Sequence, residues 1–410
     1  MVLLGAVLQA VPAGAVSAVS SAADPTWGTG PGEDGRAGRV LAVAEAGGLV
    51  YLGGDFTSMA PPDSPGRDRL VVRQYLAALE VGSGALAPWD PVADGTVRAL
   101  LPSPDGRRLY VGGEFDSIAG QPARGLTALD PATGAPDPTF QPPVLTSVVR
   151  ALALSPDGKR LYLGGDFTHV AQPNGTSVDR PHLAAVDAAT GALLDWLPPD
   201  DEGGHFYGQT GMRSEVGDGG VYAVAVSGDG RTVHVGGTFL AFGGRAGLLS
   251  LDAATGRATS WQAKMERPVF GLSLSPADGH RVYAATGGAG GRLYGFDPGG
   301  KTTPALEVKT DGDAMAVVAS VTTVYLLGHY DYIVSAKSTC YQYCPDGVPR
   351  RHLAAFDAWT GALDPWDPTA NTPTGPYTGA AGGSHLYVGG EFTNAGGRSQ
   401  PGIAQFPGVP

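Results

Sequence analysis

One stretch of the sequence, Leu163-Gly164-Gly165-Asp166-Phe167-Thr168, recurs with little change at three other places in the chain. The closest copies are Leu52–Thr57, Val111–Phe115 and Val388–Thr393. A fifth copy, Val235–Phe239, has threonine in place of the acid, and two more divergent copies are Val282–Thr286 and Val324–Tyr330. Self-similarity at a spacing of tens of residues is typical of repeat architectures. The sequence therefore predicts seven copies of one structural unit.

The third unit shows the predicted elements most clearly. Its apolar runs predict four short strands, which are Val149–Leu154, Arg160–Phe167, His182–Asp187 and Ala192–Leu197. Between the first two strands, Ser155-Pro-Asp-Gly158 predicts a turn in which the glycine takes a positive φ. Four short antiparallel strands, repeated along the chain, are typical of the blades of a β-propeller.

The two ends of the chain are complementary. The last unit stops at its third strand, Ile403–Phe406, without the Trp-x-Pro segment that follows in other units. Near the N-terminus, Asp24–Trp27 resembles that missing segment. We therefore expect an all-β, seven-bladed propeller of four-stranded antiparallel blades over residues 24–410. The N-terminal strand would complete the last blade and leave no exposed sheet edge.

The repeat resembles that of a known family. Each unit reads as a strand, Ser-Pro-Asp-Gly, Leu-Tyr-x-Gly-Gly-Asp-Phe, Leu-Ala-x-x-Asp, x-Thr-Gly and Trp-x-Pro, which is similar to the delta-sixty repeat, a bacterial β-propeller domain of unknown function. The resemblance extends from Asp24 to Phe406 and is weakest in units five and six. It implies export or attachment to the cell surface, and it supplies no established catalytic residues.

Composition and charge narrow the classes of partner. Hydrophobic residues make up 42% of the 410 residues, and the 64 glycines and 34 prolines suit a protein rich in tight turns. The formal net charge is −12 and the chain has no basic stripe with interleaved aromatic residues. This composition excludes nucleic acid as the expected partner, because a phosphate backbone attracts basic surfaces.

The N-terminal segment, residues 1–23, is apolar and rich in small residues. It resembles a signal peptide, with Ala13–Ala15 and Val16–Ala18 as candidate cleavage signals. The basic region expected at its start is missing, since the first Lys or Arg is Arg36. A membrane anchor is the alternative, which Pro12 and the small residues disfavour. We expect a secreted or cell-surface monomer without a membrane span after processing, with a local disulfide between Cys340 and Cys344.

Two periodic polar features predict structural roles. Asp residues close the third strand before a turn that is usually x-x-Thr-Gly, and each carboxylate is expected to cap its turn. These residues are Asp130, Asp187, Asp252, Asp297 and Asp357. The acids of the Gly-Gly-[Asp/Glu]-Phe motif are expected to pair with the arginine that precedes the third strand of the same unit. These predicted pairs are Asp55–Arg73, Glu114–Arg124, Asp166–Arg180 and Glu391–Arg398.

Units four to six depart from this pairing. Arg245 and Arg292 are kept, whereas Thr238 and Thr286 replace their acids, and His329 takes the acid position in unit six. We expect arginines without a paired acid, together with His329, to face a ligand. Ordinary drift in a degenerate repeat is the alternative.

The long insertions, Thr57–Tyr75, Thr168–His182, Pro198–Gly220 and Gly328–His352, are all expected on one face of the propeller, where loops carry function on a rigid scaffold. One insertion offers Asp200, Asp201 and Glu202 as calcium ligands, with His205 and Tyr207 nearby. A solvated acidic loop is the alternative. Another insertion offers aromatic residues that bind sugars or proteins, or else pack on their own blade, namely Tyr330, Tyr332, Tyr341 and Tyr343.

Two functions remain open. The sequence contains no nucleophile elbow, Walker motif or dinucleotide fingerprint, and its histidines do not cluster, so no catalytic residue is assigned. This favours an exported, non-catalytic module that recognises a glycan, a cell-wall component or a protein. The alternative is a secreted hydrolase or lyase with a calcium-assisted site at the central mouth, using His205, His329 and nearby acids. Calcium is the one cofactor that the sequence suggests.

Overall fold

The structure is a computed structural model that describes residues 19–33, 35–62, 69–172, 175–196, 207–208, 220–241, 245–261, 263, 265, 267–372 and 374–408. Of residues 207–208, 239–241 and 245–246 it describes the backbone only. The regular secondary structure of these residues consists of β-strands, as the sequence predicts.

Seven antiparallel sheets in the described chain each hold three consecutive strands of one repeat unit, with the second strand in the centre. The first, second and third strands of each unit, in that order, are as follows. Unit one has Val40–Ala46, Leu49–Gly54 and Leu76–Glu80; unit two has Val97–Pro102, Leu109–Gly113 and Leu126–Leu129; unit three has Val149–Leu154, Arg160–Gly165 and Leu183–Asp187; unit four has Val221–Val226, Thr232–Ala241 and Arg245–Asp252. Unit five has Val269–Leu274, Val282–Thr286 and Arg292–Phe296; unit six has Asp313–Ala319, Thr323–His329 and Leu353–Asp357; unit seven has Pro376–Ala381, His385–Gly390 and Ile403–Pro407.

Shorter strands lie in the connecting segments. They are Gly28–Thr29, Ser58–Ala60, Val71–Val72, Ser117–Ile118, Gln121–Pro122, Val144–Leu145, His169–Ala171, Ser177–Asp179, Tyr207–Gly208, Leu306–Thr310, Tyr332–Val334, Val348–Pro349, Asn394–Ala395 and Arg398–Ser399. Leu306–Thr310 is a full fourth strand of unit five. In five other units the segment that follows the third strand turns back along it, and we call this the returning chain. It pairs with the third strand at a single bridge in each unit, at Leu79–Leu86, Leu129–Pro136, Val186–Leu193, Leu251–Ala258 and Phe356–Leu363.

The N-terminal segment supplies this returning chain in unit seven. Asp24 bridges to Gln405, and the Asp24 amide donates to the Gln405 carbonyl at 2.9 Å. Trp27 packs in one apolar cluster with Tyr387 and Ile403. The packed chain extends ahead of residue 24, because Val19 is 2% exposed and bridges to Gly408. The segment that the sequence places beside the last unit therefore lies there.

The first strands of all units meet around one cavity. Each packs against the first strands of the units before and after it in the chain, and Pro376–Ala381 also packs against Val40–Ala46. The cavity has a volume of about 240 Å³ and is lined by three residues from each first strand, at 41–43, 98–100, 150–152, 222–224, 270–272, 315–317 and 377–379.

The Gly-Gly pair of the motif sets the distance between units. A Cβ atom on the first glycine would lie 2.4 to 2.8 Å from the nearest side-chain atom of the valine that begins the next unit, in the pairs Gly53–Val97, Gly112–Val149, Gly164–Val221, Gly236–Val269 and Gly389–Val40. No real Cβ tolerates such contacts, so glycine is required. Unit five has Ala285 at this position, and unit six then begins with Ala314 in place of valine. A smaller partner offsets the added methyl group.

A tyrosine of the second strand links several units to the next. Its hydroxyl donates to a turn carbonyl of the following unit at 2.7 to 3.0 Å, in the pairs Tyr51–Pro131, Tyr110–Ala188, Tyr162–Ala253 and Tyr283–Ala358. The Trp-x-Pro tryptophans pack edge-on against this ring, as Trp196 does on Tyr162 at 5.0 Å between centroids. Unit four has His234 instead, whose Nδ1 lies 2.7 Å from Ser250 Oγ. Burial lowers the pKa of His234 to about 4.

The turn-capping prediction is confirmed for four of its five aspartates. The carboxylates of Asp130, Asp187, Asp252 and Asp357 accept backbone and hydroxyl hydrogen bonds from the turn that follows each. The Thr133 amide and hydroxyl lower the pKa of Asp130 in this way. Asp297 was predicted to cap its turn as well, but it pairs with Arg281, whose Nε lies 2.7 Å from Oδ1.

Adding one methyl group at the unit interface is expected to destabilise the protein. Gly53→Ala should lower the free energy of unfolding by about 1–3 kcal/mol, because Val97 Cγ1 would lie 2.5 Å from the new Cβ. Adding Val97→Ala should recover at least part of this loss, as in the Ala285–Ala314 pair. Denaturant unfolding of the single and double variants measures the coupling. Additive effects in Gly53→Ala/Val97→Ala, equal to those in the non-contacting pair Gly53→Ala/Val149→Ala, would contradict the steric account.

Burial of neutral His234 is expected to make stability fall with acidity. Its folded pKa of about 4 lies below the ordinary value of 6.5. The contribution is therefore complete above pH 6.5 and is lost as the pH falls from 6.5 towards 4. Between pH 7 and 5, wild type should lose about 2 kcal/mol more stability than His234→Asn. Denaturant unfolding across this range measures the slope, and equal slopes would disprove the assignment.

Candidate functional site

A β-bulge turns one side chain of each unit towards the mouth of the central cavity. In every first strand the register shifts across one residue, which has no partner on the second strand. This is the second residue of the strand in six units and the third, Met315, in unit six. Such bulges re-aim a side chain. The seven bulged residues, which we call the mouth ring, are Leu41, Arg98, Arg150, Tyr222, Phe270, Met315 and Tyr377. With Arg39, Asp313, His329 and Thr374, they line a cavity of about 520 Å³, which we call the mouth.

The mouth is chemically divided. Units one to three contribute guanidinium groups from Arg39, Arg98 and Arg150, whereas units four, five and seven contribute the aromatic rings of Tyr222, Phe270 and Tyr377. The rings of Tyr222 and Phe270 are in contact. These two rings lie 5.8 Å apart between centroids and almost perpendicular to each other. The Arg150 guanidinium lies 5.0 Å from the Tyr222 centroid, a cation–π contact that joins the two halves.

The motif acids pair with arginines, but not with those predicted. Asp166 accepts two hydrogen bonds from Arg150, at 2.8 Å from Nε and 2.5 Å from Nη2. Asp55 accepts from Arg39 Nε at 2.5 Å, and Glu114 pairs with Arg98. Burial lowers the pKa of Arg150 while the hydrogen bonds and charge of Asp166 raise it, and the net shift is upward. In units two and three the partner is the bulged residue of the first strand, because the bulge places its side chain beside the end of the second strand. In unit one the partner is Arg39, the residue before the first strand.

The arginines before the third strand have another role. Arg73 donates to the Ala87 carbonyl at 3.2 Å, and Arg398 donates to the Ala23 carbonyl at 2.7 Å, so each holds the returning segment of its own unit. Arg180 donates to the Asp179 carbonyl. Arg124 instead lines a separate groove of about 710 Å³ between the loops of units two and three. The predicted pairing with the motif acids is therefore wrong for all four units, since Glu391 accepts from the Thr374 hydroxyl at 2.8 Å.

In unit six the acidic and basic positions beside the mouth are exchanged relative to unit one. Asp313 precedes the bulge, where unit one has Arg39, and His329 takes the position of the motif acid. Asp313 Oδ1 accepts the Gly288 amide at 2.9 Å. Burial raises the pKa of the Asp313 carboxyl. His329 stacks on His352 with centroids 6.1 Å apart. Within the described residues, Asp313 Oδ2 and the His329 imidazole have no hydrogen-bond partner.

Arg292 and Arg245 were predicted to lack a paired acid and therefore to face a ligand. Arg292 Nε lies 2.9 Å from Glu307 Oε1, so the prediction that Arg292 lacks a paired acid is wrong. Thr286 pairs with Val269 as Gly165 pairs with Val149, which places Gly287, not Thr286, at the acid position. Arg245 begins the third strand of unit four opposite Ala241, and its side chain lies outside the described atoms.

The loop of unit six separates buried from exposed tyrosines. Tyr330 is 2% exposed and donates to the Leu326 carbonyl, so it packs on its own unit. Tyr343 is 73% exposed and meets the edge of Tyr332 at 5.9 Å, and Tyr341 is 48% exposed. The predicted disulfide, Cys340–Cys344, is confirmed.

The side chain of Lys309 also anchors this loop to unit five. Lys309 Nζ donates to the Ser338 carbonyl at 2.5 Å and to the Cys340 carbonyl at 2.9 Å. Burial lowers the pKa of Lys309. Tyr341 and Tyr343 therefore lie on an anchored loop outside the lining of the mouth, and we call this pair the tyrosine rim.

The acidic insertion is largely outside the described residues. This applies to Asp200, Asp201, Glu202 and His205, so the calcium site stays a prediction. The Tyr207 backbone pairs with Leu240 of unit four. In the described parts of the chain, no three His, Cys, Asp or Glu side chains are grouped closely enough to hold a metal ion.

The mouth ring itself was missed by reasoning from the sequence. Five units begin their first strand with Val-x-Ala or Val-x-Gly, at Val40, Val97, Val149, Val221 and Val269. The residue between the two small or β-branched positions is the variable one, and it is the one that the bulge exposes. Variation confined to one position of a constant strand could have identified the site.

Comparison with known proteins supports the fold. Residues 104–140, in unit two, match the profile of a family described as "Domain of unknown function (DUF5122) beta-propeller". No curated protein matches the chain. Together with the all-β architecture, this match identifies a β-propeller domain of unknown function. Among the described residues, no helix has the length and apolar character that crossing a bilayer requires.

Removing one member of a mouth ion pair is expected to destabilise the fold. Asp166→Asn should lower the free energy of unfolding by about 2 kcal/mol, because the Arg150 side chain is 17% exposed and would lose its charged partner. Asp90→Asn is the matched control, since Asp90 is 40% exposed in its pair with Arg73 and should cost less than about 1 kcal/mol. Denaturant unfolding compares the two, and equal losses would contradict a structural role for the mouth pairs.

Proposed function

We propose that the seven units form one closed, seven-bladed propeller over residues 24–410, built on the delta-sixty repeat. The contact between Pro376–Ala381 and Val40–Ala46 supports closure, because it joins the first strands of the last and first units. The bridge from Asp24 to Gln405 supports completion of the last blade by the N-terminal strand.

We further propose that this protein is an exported, non-catalytic binding module. It acts as a monomer at the cell surface or outside the cell, after removal of an N-terminal segment that ends before Val19, because Val19 packs against the last unit. The Cys340–Cys344 disulfide supports this location, because disulfides persist in oxidising compartments. The loop-rich face carries the binding site.

The ligand that the mouth fits best is a glycan, and the mouth ring is the observation that supports this. Aromatic rings such as Tyr222 and Phe270 offer apolar faces, and the remaining N–H groups of the arginines offer hydrogen bonds to hydroxyls. Each arginine is already paired with an acid, so it donates hydrogen bonds with little net charge. A neutral polyhydroxylated ring uses both surfaces.

Size separates the glycan from the other two ligand classes that the sequence leaves open. A stable protein partner needs about 800 Å² of surface on each side. The mouth is a concave cavity of about 520 Å³, within the range of sites for small ligands. A few sugar units of a free glycan or of a cell-wall polymer fit this volume better than a folded protein does.

A hydrolase or lyase is the second candidate, and one observation favours it. Asp313 and His329 both line the mouth, and Asp313 Oδ2 and the His329 imidazole have no hydrogen-bond partner within the described residues. General acid–base catalysis uses such groups. The remaining acids next to the mouth are already hydrogen-bonded to Arg39, Arg98, Arg150 or Thr374. A binding function therefore explains more of the residues that line the mouth than a catalytic function does.

A glycan array followed by calorimetric titration tests the binding function. Wild type should bind at least one glycan, and Tyr222→Ala/Phe270→Ala should weaken that binding about tenfold or more. Trp359→Ala is the control, because Trp359 is 47% exposed in a turn outside the mouth and should leave affinity unchanged.

Two outcomes would redirect the proposal. Loss of binding in Tyr341→Ala/Tyr343→Ala, with the mouth variant unaffected, would move the site to the tyrosine rim. Release of new reducing or unsaturated ends from a bound glycan by wild type, abolished in His329→Gln, would establish the enzyme instead. Absence of binding to every glycan and wall polymer on the array would disprove the proposal.

A further inference from the structure

The charges at the mouth are balanced in three units and unbalanced in one. Arg39, Arg98 and Arg150 each have a carboxylate within their own unit. In unit six, the Asp313 carboxylate has a single backbone donor among the described residues. The charges of Arg267 and His329 act to lower its pKa, but Arg267 Nη1 donates its hydrogen bonds to the Gly287 and Gly290 carbonyls instead. Asp313 Oδ2 therefore has no hydrogen-bond donor within the described residues.

The loss of the motif acid in unit five opens space beside this carboxylate. A Cβ atom on Gly287 would lie 2.3 Å from Phe270 Cε2 and 3.1 Å from Asp313 Oδ1. The edge of an aromatic ring and the carboxylate are thus neighbours, separated only by the glycine. Any side chain at position 287 would displace one of them. An aromatic platform and an acceptor for a cation are placed side by side.

This arrangement discriminates between ligand charges. An anionic polymer would meet guanidinium groups whose charge is already compensated, an Asp313 carboxylate without a hydrogen-bonded cation among the described residues, and a protein of formal net charge −12. A neutral sugar would gain hydrogen bonds only. A protonated amine would gain a charge-assisted hydrogen bond with Asp313 Oδ2, which is stronger than a neutral one.

We propose that the mouth selects glycans containing amino sugars with free amines, in which Asp313 accepts the ammonium group and Phe270 and Tyr222 contact the sugar rings. This inference rests on the proposed glycan-binding function and adds the class of sugar. His329 then provides a second polar contact, beside the one that Asp313 makes.

Four oligosaccharides of equal length test the inference by calorimetric titration at pH 6. Three share a β-1,4 backbone and are built from glucose, N-acetylglucosamine and glucosamine, and the fourth is an oligogalacturonate. Glucosamine oligomers should bind wild type about tenfold or more tightly than the neutral oligomers. The oligogalacturonate should bind most weakly of the four.

Asp313→Asn should remove the preference of the protein for glucosamine oligomers over the neutral oligomers, because a carboxamide has no charge to pair with an ammonium group. Asp116→Asn is the matched control, since Asp116 is exposed on the same face but lines the groove between units two and three. It should keep the full preference. Thermal unfolding of both variants checks that they are folded.

Each result separates this inference from the proposed function. A wild type that binds neutral or acidic oligomers as tightly as glucosamine would overturn the inference and leave the binding module standing. A preference for glucosamine that survives in folded Asp313→Asn would overturn the role of Asp313. If none of these sugars binds but another glycan on the array does, the amino-sugar assignment is wrong. The ranking in wild type decides the sugar class even if Asp313→Asn does not fold.

Discussion

The contact between one glycine and the valine that begins the next unit is the constraint on which the rest of the structure depends. It brings each second strand against the following first strand, as Gly53 and Val97 illustrate. Where the glycine is lost, the neighbour changes too, as in Ala285 and Ala314. In unit six, Leu327 replaces the glycine, and Gly379 of unit seven then makes room for its side chain, since a Cβ atom added at Gly379 would lie 2.8 Å from Leu327 Cδ1. The requirement for close packing is kept throughout the chain, although the residue that meets it moves from one strand to the other.

The bulge at the start of each first strand releases one position from this constraint. The residues around it are fixed by packing, as Val149 and Ala151 are, whereas the bulged residue, Arg150, faces the mouth. The seven bulged positions therefore vary in size, polarity and charge without disturbing the contacts between units. This explains how a repetitive scaffold obtains a mouth with one cationic side and one aromatic side. The contacts between units and the lining of the mouth are encoded by different positions of the same strand.

Patterns that repeat in the sequence predicted the fold well, and contacts that depend on a shift of one residue were not predictable. The strand order, the N-terminal segment beside unit seven and the disulfide follow from local motifs. The partner of Asp166 does not follow from a local motif. Arg150 in the first strand and Arg180 before the third strand are both near the end of the second strand, and only the bulge decides between them. The acid position of unit five was misassigned by one residue, because Ala285 and Thr286 replace the glycines that mark the register. The mouth was missed because no repeated residue type marks it.

The position of the N-terminal segment has a consequence for the order of folding. Gln405 Nε2 donates to the Pro25 carbonyl across 380 residues of sequence, so the last sheet is completed by the part of the chain that is synthesised first. Contacts between distant residues form slowly, because the intervening loop must lose its freedom first. During synthesis, the early units can form their sheets while residues 19–27 wait for a partner. The native pairing of unit seven is then reached only when Ile403–Pro407 is available, so a chain still being synthesised remains incompletely folded until this strand is added.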